Sequence, residues 1–179
     1  MVNVSIDDIA GSLPLGERAA PTKVLLPLSG APFRVETYLR QELEWREVLP
    51  ASLLFPPNKP ALTFGDRPMW HEFIVLELLK QVGWDGVWTK NFGGAAFWTA
   101  PGIEVDLPKD AKDVFQALKT TVGNGGFWDV FAWTDETFLF VESKQRGKDK
   151  LQQNQLRFLE TGLRSDHPIR FAIAEYIRR

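Results

Sequence analysis

Phe127-Trp128-Asp129-Val130-Phe131-Ala132-Trp133, then Thr134-Asp135-Glu136, then Thr137-Phe138-Leu139-Phe140-Val141-Glu142-Ser143-Lys144 is the stretch that decides the fold. Two aromatic and β-branched runs joined by three polar residues predict a β-hairpin. Alternate side chains of a strand share a face, so Glu142 and Lys144 point together and Ser143 points away. Asp129, early in the first run, lies beside the end of the second and can approach Glu142. Two carboxylates brought together repel unless a cation lies between them. A hard divalent ion held by Asp129, Glu142 and a nearby backbone carbonyl would relieve that repulsion, with Lys144 beside it and positions open for water and a phosphate oxygen.

Beyond the hairpin, Lys148 to Leu163 reads as a helix with Leu151, Leu156, Phe158 and Leu159 apolar, and Ile169 to Ile177 as a final strand after Pro168. Asn124-Gly125-Gly126 is a turn, and Lys109 to Thr121 an amphipathic helix that interrupts the strands. Gly86 to Asn91 and Ala95 to Thr99 read as strands around Gly93-Gly94. Met69 to Val82 is a helix closed by Gly83, with Val75, Leu78, Leu79 and Val82 on one side, Glu72 at the edge of that arc and Glu77 facing away. Upstream, Pro56-Pro57-Asn58-Lys59-Pro60 forbids regular pairing and marks a boundary. Val35 to Val48 reads as a helix ended by Pro50, and residues 1 to about 35 as an irregular arm. The expectation is an arm over 1–65 and an α/β layered domain over 66–179.

Composition narrows the chemistry. The 179 residues suit one compact domain with a peripheral arm, and no Cys is present, which excludes thiolate metal sites and Cys nucleophiles. Only His71 and His167 carry imidazole, so a bound metal would rest mainly on oxygen ligands, favouring Mg2+ or Mn2+. Absence of Cys suits a cytoplasmic chain, no signal peptide is visible, and no apolar run approaches the roughly 18 residues of a membrane span. The net charge is −2, but from Val141 to Arg179 nine Lys or Arg stand against five Asp or Glu. Arg146, Lys148, Lys150 and Arg157 fall around the end of the acidic strand and on the next helix, where they would contact phosphates. A solvated helix face explains the same charges.

Gly-Gly-Phe-Trp-Asp129-Val-Phe-Ala-Trp, Phe-Val-Glu142-Ser-Lys144 and Lys150-Leu-Gln-Gln-Asn-Gln155-Leu-Arg-Phe158-Leu together resemble the VRR-NUC branch of the PD-(D/E)xK nuclease superfamily. The likeness spans about Gly125 to Leu159. It implies a restriction-endonuclease-like core, α-β-β-β-α-β, with a mixed central sheet flanked by helices and an N-terminal extension. It also implies a metal-dependent nuclease cleaving DNA, as an endonuclease or structure-specific enzyme, and a homodimer. Asp129, Glu142 and the Ser143 carbonyl would ligate Mg2+ or Mn2+, Lys144 would position or activate the attacking water, and Gln155 would reach the site from the following helix. The family places a Glu on its first helix: Glu72 is the choice, Glu77 the alternative. Trp128 stands where the family has Pro, which restricts the backbone but ligates nothing.

The competing readings are a non-catalytic nucleic-acid-binding or assembly protein on a retired nuclease scaffold, and a structural protein whose carboxylates merely pair with Lys or Arg. His71, beside Glu72, could act as an extra acid or base, although placement at a helix start accounts for it. The seven Trp residues fit a core or a held arm better than base stacking.

Overall fold

The computed structural model describes residues 13–19, 23–25, 32–54, 59–90 and 96–179. In chain order these form β1 (Glu17–Arg18), β2 (Lys23–Leu25), β3 (Phe33–Glu42), a short 3-10 turn (Ala51–Leu53), β4 (Leu62–Phe64), β5 (Arg67–Met69) and α1 (His71–Lys80). There follow β6 (Asp85–Lys90), β7 (Ala96–Ala100), β8 (Ile103–Glu104), α2 (Lys109–Val122), β9 (Val130–Trp133), β10 (Phe138–Gln145), α3 (Gln153–Leu163) and β11 (Ile169–Arg178). The protein is mixed α/β. One mixed sheet runs β1-β3-β11-β10-β9-β6-β7-β8, with β2 also on β3 and the β4–β5 hairpin apart. β3, β11 and β10 are mutually parallel, while β10–β9, β9–β6 and β6–β7 are antiparallel.

The alternation read from the hairpin sorts the core into two layers. Leu139, Val141, Val130, Ala132, Ala172 and Ala174 pack under α1, with Phe73, Ile74, Leu76 and Leu79. Phe140, Phe131, Phe171 and Ile173 face the opposite side, under α2 and α3, against Val114, Phe115, Leu118, Phe158 and Leu159. Phe140 lies directly across from Phe131, their rings stacked at 4.5 Å. Burying each such ring stabilises the fold by about 2–3 kcal/mol. A slip of one residue would turn both rings out of their layer, so this pair fixes the register that sets Val141 opposite Val130.

The helix expected over Val35 to Val48 is not formed: its first part is β3, and the segment from 1 to 65 lends β1, β2 and β3 to the sheet. Tyr38, Leu39, Leu43 and Trp45 do have helical spacing, but Leu43 is 61% exposed, so no helical apolar face is buried. Pairing Ala172–Arg178 with Glu36–Glu42 satisfies the main chain and buries Val35, Thr37 and Tyr38 instead. The last helix begins at Gln153 rather than Lys148. Gln152 caps it, and the side chain of Gln155 returns the second bond of a capping box. Before it, Gly147 takes a left-handed turn and Asp149 accepts the Gln145 N–H, so Lys148 and Lys150 stand on a connecting loop. The Pro56-Pro57-Asn58 part of the expected boundary and the Gly93-Gly94 turn lie outside the described residues, although β6 and β7 do pair as that turn requires.

Candidate active site

Where β9 begins, the β9–β10 ladder stops and side chains take its place. The Asp129 N–H donates to Glu142 Oε2 at 3.3 Å, and the Ser143 N–H donates to Asp129 Oδ2 at 3.0 Å. Each carboxylate thus accepts a main-chain amide from the other segment. Asp129 is itself held from the far side, its carbonyl accepting the Thr89 N–H of β6 at 2.7 Å. A strand residue directs its N–H and C=O toward the same neighbour. The Ser143 carbonyl therefore opens into the same gap as its amide.

Parity distributes the rest. Glu142 and Lys144 lie on the α3 side, paired at 2.7 Å, with Glu142 almost wholly buried. Gln155 ties them together: its Nε2 donates to Glu142 Oε1 at 2.6 Å, and its Oε1 accepts from Lys144 at 3.3 Å and from the Gln152 N–H at 2.9 Å. The group that caps α3 also orients the two charged side chains. Trp128 fixes Gln155 in turn, donating from Nε1 to the Gln155 carbonyl at 3.1 Å, with its buried ring edge-on to Phe171. Trp128 thus adds an anchor to α3. Gly126, at φ +78°, lets the 124–129 turn touch α3, for a Cβ there would lie 2.6 Å from the Asn154 backbone.

Ser143 points to the α1 side, where its hydroxyl lies 2.7 Å from His71 Nδ1. His71 is buried against Tyr176, and burial, with Arg40 and Lys59 adding to it, pushes its pKa down to about 3. Burial thus favours the neutral imidazole at His71, whose Nε2 is buried with no hydrogen-bond partner.

Of the two α1 carboxylates, Glu72 is buried and Glu77 is half-exposed beside Arg67 and Lys80. Glu72 Oε1 meets Lys59 at 2.6 Å, and its Oε2 is buried with no hydrogen-bond partner. Lys59 was not expected at the site. Its ammonium sits over the rings of Trp70 and Trp88, 5.6 and 5.1 Å from their centroids. Burial works against the charged form, but Glu72, Asp129 and Glu142 more than offset it and leave the Lys59 pKa raised. Three carboxylates from α1, the turn before β9 and β10 therefore converge on one region.

Their mutual field is strong. Burial, then Glu72, pushes Asp129 up to about 6, and burial, then Asp129, holds Glu142 well above the usual carboxylate range. Among the described residues, no three His, Asp or Glu side chains stand close enough to ligate one ion as placed. The donor set still fits a hard dication: carboxylate oxygens, a carbonyl facing the gap and a buried Glu72 oxygen without a partner. A cavity of about 290 Å³ opens beside this set, lined by Lys59, Glu72, Ser143, Lys148, Asp149 and Tyr176 among others.

The four expected phosphate-contacting residues separate. Lys148 lines this cavity and Lys150 is exposed on the adjoining loop. Arg146 leans toward Glu175 at 3.9 Å. Arg157 lines a different groove, between α2 and α3, with Arg164 and His167. No helix among the described residues is long and apolar enough to cross a membrane. Comparison with protein-family models, with curated proteins and with solved structures finds no match for this chain.

Proposed function

We propose that this chain is a Mg2+- or Mn2+-dependent nuclease of the PD-(D/E)xK kind that hydrolyses phosphodiester bonds in DNA. The observation that carries the reading is the opening between β9 and β10. There Asp129 and Glu142 interlock through each other's main chain while Lys144 and Gln155 bind the same Glu142. The order α1, β6, β9, β10, α3, β11, with the four strands adjacent in the sheet, supports a restriction-endonuclease-like core into which β7, β8 and α2 are inserted.

Glu72, Asp129, Glu142 and the Ser143 carbonyl would hold the ion, which when bound supplies Lewis acidity and a water of lowered pKa. The residues of the chain do the positioning. Lys144 is paired with Glu142 and aimed by Gln155, so it can donate to the attacking water or a phosphate oxygen without reorganising. Lys148, on the cavity wall, can meet the neighbouring phosphate. Hydrolysis forms one oxygen–phosphorus bond from water and breaks the opposite one, the leaving oxygen departing with a proton. Cleavage of plasmid and branched-junction DNA with Mg2+ or Mn2+, comparing wild type with Asp129→Asn and Lys144→Ala, tests this. Equal activity in all three would sink it.

One observation favours a second reading, a nuclease scaffold retained for nucleic-acid binding or assembly. Each of the three carboxylates already has a protein partner, from the Ser143 amide to Lys59. On that reading Mn2+ titration gives no heat that depends on Asp129 or Glu142.

A further inference from the structure

We propose that Lys59 is the tethered counter-cation of this site, competing with the divalent ion for Glu72; this rests on the nuclease reading above. Lys59 Nζ and Glu72 Oε1 are 2.6 Å apart, and the Lys59 side chain is only 23% exposed. The ammonium is held by more than that one contact. Trp70 and Trp88, themselves packed edge-to-face at 5.6 Å, present their rings to it, and the charges of Asp129 and Glu142 also act on it. A cation between two indoles and a carboxylate is a built position rather than a surface ion pair.

The balance of charge gives this position its role. Glu72, Asp129 and Glu142 bring three carboxyl groups together, and Lys144 is committed to Glu142 and Gln155 on the α3 side. On the α1 side Lys59 is the only Lys or Arg paired with Glu72 among the described residues. Without it, Glu72 would lose the ammonium paired with it, and Asp129 would keep only Lys144 of the two ammonium groups that act on it. With it, the site is stable before any ion arrives, and an ion that uses Glu72 must overcome the repulsion of an ammonium on the same carboxylate. The room for that exchange exists, since Lys59 and Glu72 both line the 290 Å³ cavity that Lys148 and Asp149 also border. Lys59 is therefore a positioning residue that sets the ion's affinity from the α1 side and keeps Glu72 pointed inward.

The test is calorimetric titration of the full chain with Mn2+, wild type against Lys59→Met, Lys59→Gln and Asp129→Asn, together with thermal melts with and without the ion. Competition predicts Mn2+ binding about tenfold tighter in Lys59→Met and Lys59→Gln, the size expected for removing one screened like charge. It also predicts a lower metal-free melting temperature in both, and saturating Mn2+ closing that gap. Unchanged or weaker Mn2+ binding in both variants, with binding still lost in Asp129→Asn, would overturn the role of Lys59 and leave the metal site standing. Wild type that binds no Mn2+ would overturn both. Variants that fold neither alone nor with Mn2+ would also overturn it, because competition requires the ion to replace the missing cation.

Discussion

Asp129 and Glu142 lock to each other through main-chain amides: the Asp129 N–H binds the Glu142 carboxylate, and the amide next to Glu142 binds the Asp129 carboxylate. Side-chain-to-amide bonds thereby replace the ladder beyond Val130 and Val141, and two acids are concentrated where it would have continued. Amide donors stabilise the ionised forms, yet burial and mutual repulsion win, so both carboxyls titrate high. Asp129→Asn keeps an acceptor for the Ser143 amide and removes the repulsion. The metal-free variant should match or exceed wild type in stability at pH 8, by about 1–2 kcal/mol, as relief of a raised carboxyl requires. DNA cleavage should meanwhile fall at least about a hundredfold, as for loss of a group acting on transition-state charge. Urea melts and cleavage rates check the pair of outcomes, and a large loss of stability would instead mark Asp129 as structural.

The same two groups set a pH dependence. Unfolded, Asp129 releases its proton near its ordinary 3.8; folded, it keeps it to about 6. Between those values folded Asp129 binds more protons than unfolded, so its contribution to stability falls as pH rises through the window. Compared with Asp129→Asn, metal-free wild type should lose stability on the order of 2 kcal/mol across this window, the opposite contribution of His71 and the burial of Glu142 being common to both proteins. Mn2+ at a hundred times its dissociation constant should restore about 2.7 kcal/mol at pH 8. Denaturant midpoints at pH 4, 5, 6 and 8 measure this, and identical profiles for the two proteins would contradict it.

The hairpin from Phe127 to Lys144 was legible because period-two alternation with aromatic residues leaves few other structures. Its parity alone put Glu142 with Lys144 and turned Ser143 away, and the apolar arc of α1 picked Glu72 over Glu77. β3 was not legible because its parallel partner β11 lies well over a hundred residues on. Nothing local in Tyr38, Leu39 and Leu43 signals that pairing, and their helical spacing pointed the other way. Lys59 was hidden for a different reason. It sits in a proline-rich link with no periodicity, and only the tertiary placement of Trp70, Glu72 and Trp88 gives it a role.

The seam between the 124–129 turn and α3 should control catalysis without touching substrate. Gly126→Ala must move Asn154 or strain a left-handed residue, at a cost of about 1–3 kcal/mol. Trp128→Phe keeps a buried ring and loses only the bond to the Gln155 carbonyl, about 1 kcal/mol. Both should lower cleavage more than DNA binding, because Gln155 aims Lys144 rather than meeting the phosphate. Single-turnover rates alongside fluorescence anisotropy of labelled DNA separate the two effects. Equal losses in both would assign the seam to binding.

Glu72 and Glu77, one helix turn and a fraction apart, are the sharpest internal comparison. Glu77 pairs loosely with Arg67 at 3.7 Å and Lys80 at 3.9 Å at a half-exposed position. Glu77→Gln should change stability by less than about 0.5 kcal/mol and leave Mn2+ affinity untouched. Glu72→Gln keeps the shape of the side chain but withdraws the charge opposite Lys59 and one buried oxygen ligand. Mn2+ affinity should drop by about tenfold or more, within the range seen when groups supporting a metal site are removed. Titration calorimetry on the two variants decides it: matching affinities would take α1 out of the metal site and leave Asp129, Glu142 and the Ser143 carbonyl to hold the ion alone.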